Sequence, residues 1–216
     1  MADVLEIATP HGPARAHLRL AKDARAALVL GHGAGGGVNA PDLVAATRAA
    51  GASGVSVVLV EQPYRVAGRR SPAPAAQLDA AWTAVVAALS EEPLAGLLLV
   101  TGGRSSGARV ACRTAAATGA AGVLCLAFPV HPPGRPEKSR LEELDAVTVP
   151  VLVIQGERDP FGMPPDAPGR TVARIAGDHG LKSDRAALES AVGTWLSSFR
   201  GNRRRARAPR RDRSAD

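Results

Sequence analysis

A serine, an aspartate and a histidine follow one another along this 216-residue chain in an order that can do chemistry: Ser105, Asp159 and His179. A serine hydroxyl is a poor nucleophile until a base removes its proton. An imidazole can be that base near neutral pH, and a carboxylate can hold the imidazole in one tautomer. The three together are a set for attack on an acyl carbon. Ser105 lies within Gly103-Arg104-Ser105-Ser106-Gly107, which matches G-x-S-x-G. Such a serine has to be presented at a sharp turn, clear of the backbone. Glycines two residues on either side let a strand and a helix pack closely around that turn. A helix starting just behind the serine aims its N-terminal N–H groups at developing negative charge. Five-residue patterns also arise by chance, so the surrounding elements decide what this one means.

The elements agree with it. Residues 97–100 are a wholly apolar run, two glycines break it, and an alanine-rich helical segment to about residue 117 follows. Two further strand ends carry the partners. The run 149–155 reads as the last strand, and Asp159 follows it. His179 falls in a loop just before a final helix over about 183–199. His131 is a second imidazole, but it precedes the acid-bearing strand and so ranks below His179 as the base. Upstream, 4–8 and the alternating run 14–20 read as an antiparallel hairpin at a sheet edge. Residues 26–30 form a buried strand ending in Gly31-His32-Gly33-Ala34-Gly35-Gly36-Gly37. Pro41 then opens a helix to about residue 50, with Asn39 as its cap. A strand at 55–60, a helix at about 75–89 and a strand at 122–128 complete the alternation. Apolar strands alternating with helices predict an α/β architecture with a mostly parallel sheet covered on both faces. Active groups then belong in the crevice beyond the carboxyl ends of the strands. The short interval between the elbow strand and 149–155 leaves no room for a large lid.

Composition narrows the class. The chain is long enough for one domain with a sizeable core, 45% hydrophobic but only 3% aromatic, so Ala, Val and Leu must build that core. No apolar run approaches the ~18 residues of a membrane span, and the acidic N-terminus does not read as a signal peptide. Cys112 and Cys125 show no metal-ligand spacing, and as buried thiols they suit a reducing, cytoplasmic setting. The formal net charge of +7 suggests a nucleic-acid partner until it is located. Residues 200–216 hold eight arginines and two aspartates, so the body, 1–199, is almost neutral. The tail, 200–216, reads as a disordered, solvated extension with weak, non-specific polyanion binding.

The motifs also carry a resemblance. The chain resembles a small α/β hydrolase of the dienelactone-hydrolase-like kind, and more closely the group containing the third subunit of the NSL histone-acetylation complex and its testis-expressed relative. The residues that carry it are Gly31-His32-Gly33-Ala34-Gly35-Gly36, Gly102 to Gly107, His131-Pro132-Pro133-Gly134-Arg135-Pro136-Glu137-Lys138, Gln155 to Gly162 and Asp178-His179. The resemblance implies Ser105 as nucleophile, His179 as general base and Asp159 as its orienting acid. It implies an oxyanion hole from the backbone N–H groups of Ala34 and Ser106. Dienelactone hydrolases proper use a cysteine where this chain has Ser105, and the Asp159-to-His179 interval is short for the superfamily. His32, Arg104, His131 and Arg135 are expected at the pocket rim. The expected activity is esterase-like hydrolysis of a small acyl substrate, with no metal and no organic cofactor required.

Two other readings use the same residues. Gly31-His32-Gly33-Ala34-Gly35-Gly36 is also a formal G-x-G-x-x-G after a strand, and Glu61 ends the next strand, the outline of a dinucleotide site. Against it, Pro41 starts the helix several residues beyond the third glycine, too far for a pyrophosphate to rest on the helix N-terminus. The alternative is a catalytically silent hydrolase-fold protein that works by binding, with the basic tail as its polyanion contact. Oligomeric state is left open by the sequence.

Overall fold

The computed structural model describes residues 3–200, so the readings that concern the arginine-rich segment 201–216 lie outside the described residues. Eight strands form one sheet in the order β1-β2-β4-β3-β5-β6-β7-β8. The chain enters through an antiparallel hairpin, β1 (Asp3–Ile7) and β2 (Ala14–Arg19), and β2 pairs antiparallel with β4 (Ser56–Glu61). In β2 the alternation is literal: Ala14, Ala16 and Leu18 are buried while Arg15 and Arg19 face water. Every other pairing is parallel. β3 (Ala26–Gly31), β6 (Gly122–Leu126) and β7 (Val151–Gly156) are buried at every position. Such strands read as continuous apolar runs because helices cover both faces.

Those helices divide cleanly. α1 (Pro41–Ala52) and α6 (Arg185–Ser197) lie on one face, where Leu43, Ala46, Ala50, Leu188, Val192 and Leu196 pack on Leu28, Leu30, Leu124 and Ile154. The short α2 (Pro63–Val66) follows β4. α3 (Ala75–Glu91) covers the other face with Leu78, Trp82, Val85 and Leu89. Beside it, α4 (Ser106–Thr114) and α5 (Leu141–Asp145) close a third cluster around Cys112, Cys125 and Phe128. Alanine on α1 and α4 lets these helices approach closely, which is how a core with so few aromatics closes. Among the described residues, no helix is long and apolar enough to cross a membrane.

Two expectations need correction. Asn39 does not cap α1: Ala40 occupies that position without a side-chain hydrogen bond. Pro41 has no N–H to satisfy and presets φ for the first turn, and Asp42 Oδ1 accepts the Leu43 N–H at 2.9 Å instead. Nor is β7 the last strand. β8 (Arg170–Ile175) pairs parallel with β7 at the sheet edge. Its exposed, partly charged alternate positions break the apolar run that would have marked it.

The strand order sets the site. From β3 the chain moves outward to β4, then crosses back over β3 through α3 to reach β5 (Leu98–Arg104). The reversal between β3 and β5 opens a crevice at their carboxyl ends. The glycine loop after β3 and Ser105 after β5 meet there.

Candidate active site

Ser105 is the hinge between β5 and α4, with φ 52° and ψ −107°. A non-glycine residue at positive φ is uncommon and costs about 1–3 kcal/mol. The turn is over-determined by its surroundings: the Ser105 N–H donates to Leu126 O at 2.8 Å, and the Arg109 N–H donates to Ser105 O at 3.2 Å. The flanking glycines are needed for space. A Cβ on Gly107 would lie 2.5 Å from the carbonyl oxygen of Gly31, and one on Gly103 would lie 2.6 Å from that same oxygen. The ends of β3 and β5 and the start of α4 therefore touch backbone to backbone. Arg109 and Arg113 then brace α4 from outside, pairing with Glu143 of α5 and Asp79 of α3.

Asp159 lies in the turn after β7 with its side chain fully buried. Its Oδ1 accepts the Phe161 N–H at 2.9 Å. Its Oδ2 accepts the His179 Nδ1–H at 2.8 Å and the Gln155 Nε2–H at 2.8 Å. The opposite ring nitrogen, Nε2, faces Ser105 Oγ at 3.0 Å, so the serine hydroxyl donates to it. A carboxylate can only accept, which places the imidazole hydrogen on Nδ1 and leaves Nε2 free to take a proton. The Phe161 ring packs against the His179 ring at 4.4 Å between centroids and limits its rotation. The short Asp159-to-His179 interval is explained by β8: one strand, parallel to β7, fits between the two residues and delivers both loops to the carboxyl end of the sheet. Gly156 makes the approach possible, because a Cβ there would meet the carbonyl carbon of Asp178 at 2.8 Å.

The glycine loop has its own braces. His32 is 3% exposed; its Nδ1–H donates to Gly33 O at 2.8 Å and its Nε2 accepts the Gln62 N–H at 3.1 Å. Burial holds its pKa below the ordinary value. His32 is thus an internal strut rather than a rim group, since both ring nitrogens are taken by backbone. A stability consequence follows. The folded state favours neutral His32, so the unfolded chain binds more protons below its ordinary pKa of 6.5. Stability is therefore expected to fall as pH drops below about 6.5. Urea unfolding as a function of pH should show this slope, and His32→Asn should flatten it. The hydroxyl of Tyr64 donates to Ala34 O at 2.8 Å and fixes the orientation of that peptide.

The other rim candidates separate. The backbone N–H of His131 donates to Phe161 O at 3.3 Å, and its Nδ1–H donates to Pro132 O at 3.0 Å, beside Gly162. It flanks the loop of Phe161 without joining the Ser105–His179–Asp159 chain. Arg135 is exposed on the following loop. Arg104 is turned inward, towards Asp42 and the backbone of His179. The dinucleotide outline does not survive. A Cβ on Gly31 would press on the Trp82 ring at 3.2 Å, so this glycine serves helix packing, and Glu61 is paired with His17 at 3.1 Å.

Sequence reasoning missed Gln155. Its Nε2 donates to Asp159 Oδ2 and also lies within 3.1 Å of Phe128 O and 2.8 Å of Gly162 O. The available signal was a lone amide at the carboxyl end of an otherwise apolar strand. Gln155→Leu is expected to lower turnover about tenfold and stability by about 1–3 kcal/mol, because buried acceptors lose their donor. Steady-state rates and chemical denaturation on the same preparation would check both. The two cysteines face each other with sulfurs 3.5 Å apart, and the hydrogen bond with Cys112, then burial, push the Cys125 thiol well above its ordinary pKa. Neither is poised as a nucleophile. Among the described residues, no group of three or more His, Cys, Asp or Glu side chains is placed to hold a metal ion.

Comparison with known proteins bears on the fold. No curated protein matches the chain. Among solved structures, an α/β serine hydrolase homologue from Coxiella burnetii superposes with a TM-score of 0.72 at 16% identity, covering 91% of this chain and 98% of its own. An α/β serine hydrolase without a lid from Xanthomonas campestris gives 0.69 at 23% identity, with 90% and 94% covered. Dienelactone hydrolase from Anabaena variabilis gives 0.68 at 16% identity, with 92% and 96% covered. These likenesses are of fold. The model of the alpha/beta hydrolase domain family matches residues 24–191, and the chain belongs to that family.

Proposed function

We propose that this protein is a serine hydrolase of the esterase kind, acting on a small acyl substrate through Ser105, His179 and Asp159. The observation that carries the reading is the continuous hydrogen-bonded chain from Ser105 Oγ to His179 Nε2, and from Nδ1 to the buried Asp159 carboxylate, at 3.0 and 2.8 Å. It begins at a serine held at φ 52°. Ser105 attacks the acyl carbon while His179 takes its proton, and Asp159 stabilises the imidazolium that forms. Charge collects on the former carbonyl oxygen. The backbone N–H of Ser106, at the first position of α4, and that of Ala34 are the donors assigned to it. Collapse expels the alcohol, which takes the proton from His179, and leaves an acyl group on Ser105. Water then attacks the acyl carbon, giving up its proton to His179; the bond from Ser105 Oγ to the acyl carbon breaks, His179 returns the proton to Oγ, and the acid leaves. Each step is completed by groups of the chain and water.

The closer kinship, with the NSL-subunit group, is supported by the sequence motifs. Cytoplasmic residence is supported by the two free thiols, Cys112 and Cys125. The test of the activity is labelling of the native chain with a fluorophosphonate, mapping of the modified peptide, and a Ser105→Ala control. Label on Ser105 that vanishes in the control is the expected result. A folded protein that takes no label would sink the catalytic reading and favour a binding role for the same fold.

A further inference from the structure

The guanidinium of Arg104, on the last residue of β5, reaches three segments far apart in sequence. Its Nε lies 2.8 Å from Asp42 Oδ2 in the first turn of α1. Its Nη2 donates to the backbone carbonyl of His179 at 3.2 Å. Its Nη1 lies so close over the glycine loop that a Cβ on Gly33 would come within 2.8 Å of it. Asp42 is completely buried. Burial raises its carboxyl above the ordinary carboxylate value, with Arg104 pulling the other way. A buried pair of this kind contributes little net stability, because desolvation offsets the attraction. What a planar, forked cation does contribute is direction: it can hold several acceptors in one fixed arrangement, which a point charge cannot. The carbonyl it holds belongs to the residue whose Nε2 faces Ser105 Oγ.

We propose that Arg104, anchored by Asp42, is a positioning residue that fastens the His179 loop, alongside the Gly33 turn, to the strand that leads into Ser105. It touches neither the reacting serine hydroxyl nor the imidazole. Its work is to set the distance between them. For its effect on rate this inference rests on the serine-hydrolase reading; for its effect on the geometry of His179 it does not.

The experiment uses the full chain with ¹⁵N-labelled histidine, as wild type, R104K, R104M and D42N. R104K keeps the charge and loses the fork. D42N keeps the side-chain volume and removes the anchor, and it serves if R104M does not fold. Circular dichroism and unfolding curves establish the folded fraction of each. Two readouts follow: the ring resonances and titration midpoint of His179, assigned with H179Q, and the second-order rate of fluorophosphonate modification per folded molecule. The expected result is a changed His179 spectrum and midpoint in the variants, with those of His11 and His17 unmoved, and a labelling rate about tenfold or more below wild type in R104M. A purely structural role would lower the unfolding midpoint and leave both readouts at wild-type values, which overturns the proposal. The two readings fail separately. A wild type that takes no label while His179 responds to R104K leaves the positioning role standing and removes the hydrolase. A wild type that labels on Ser105, with variants matching it in spectrum and rate, does the reverse.

Discussion

Replacing Ser105 with alanine is expected to remove ester turnover, by about 10⁶-fold in kcat, while stability stays within about 0.5 kcal/mol of wild type. Alanine deletes the nucleophile and keeps the Cβ, so the φ of 52° remains as strained as before. Ser105→Gly separates the two effects. It is equally inactive, but glycine accepts positive φ without steric cost, relieving about 1–3 kcal/mol of strain. Against that stands about 0.4–1 kcal/mol for the greater freedom of glycine in the unfolded chain. The relief is the larger quantity, so Ser105→Gly should be more stable than Ser105→Ala by about 1 kcal/mol. Paired denaturation curves and a chromogenic ester assay measure both. Activity retained in either variant would remove Ser105 from the mechanism. Equal stability of the two would show that the turn stores no strain.

The second large effect is expected at Gly107, where two rules conflict. Helix propensity alone would make Gly107→Ala favourable by about 1 kcal/mol. Packing opposes it, because the added Cβ would lie 2.5 Å from Gly31 O and 2.8 Å from His32 O. Both are backbone atoms of the loop that has to lie against Ser105, so neither can swing aside as a flexible side chain would. Packing wins. Gly107→Ala should cost about 1–3 kcal/mol and Gly107→Val more than that, with turnover lost ahead of the fold as α4 is pushed away from β3. Gly35 is the matching control. A Cβ there meets nothing within 4 Å, so Gly35→Ala should leave stability within about 0.5 kcal/mol. Thermal unfolding of the three variants beside wild type decides the question. A Gly107→Val protein as stable as the Gly35→Ala one would refute the close backbone packing.

The alternation of buried strands and helices, the antiparallel entry hairpin and the glycine-flanked turn at Ser105 are local properties, and they were legible in the chain. A strand covered on both faces must be apolar throughout, and a nucleophile elbow must place small residues at fixed offsets. Both leave marks within a few residues of themselves. What the chain did not display depends on neighbours distant in sequence. β8 lies at the sheet edge, where Thr171 and Arg174 face solvent and the buried Arg170 is taken up by Asp145 and Pro165 O, so no apolar run announced it. His32 and Arg104 look like rim groups in a glycine-rich loop and an elbow, because nothing local says that Gln62, or Asp42 and His179, will enclose them. Gln155 is one polar residue at a strand end until the loop after β6 brings Phe128 O beside it. The residue types of the chain determined which chemistry was available and which elements would carry it. Only the tertiary structure decided which of those groups meet, because hydrogen-bond distance between Ser105, Asp159 and His179 is set by how β5, β6, β7 and β8 pair side by side, and no local stretch of sequence encodes that spacing.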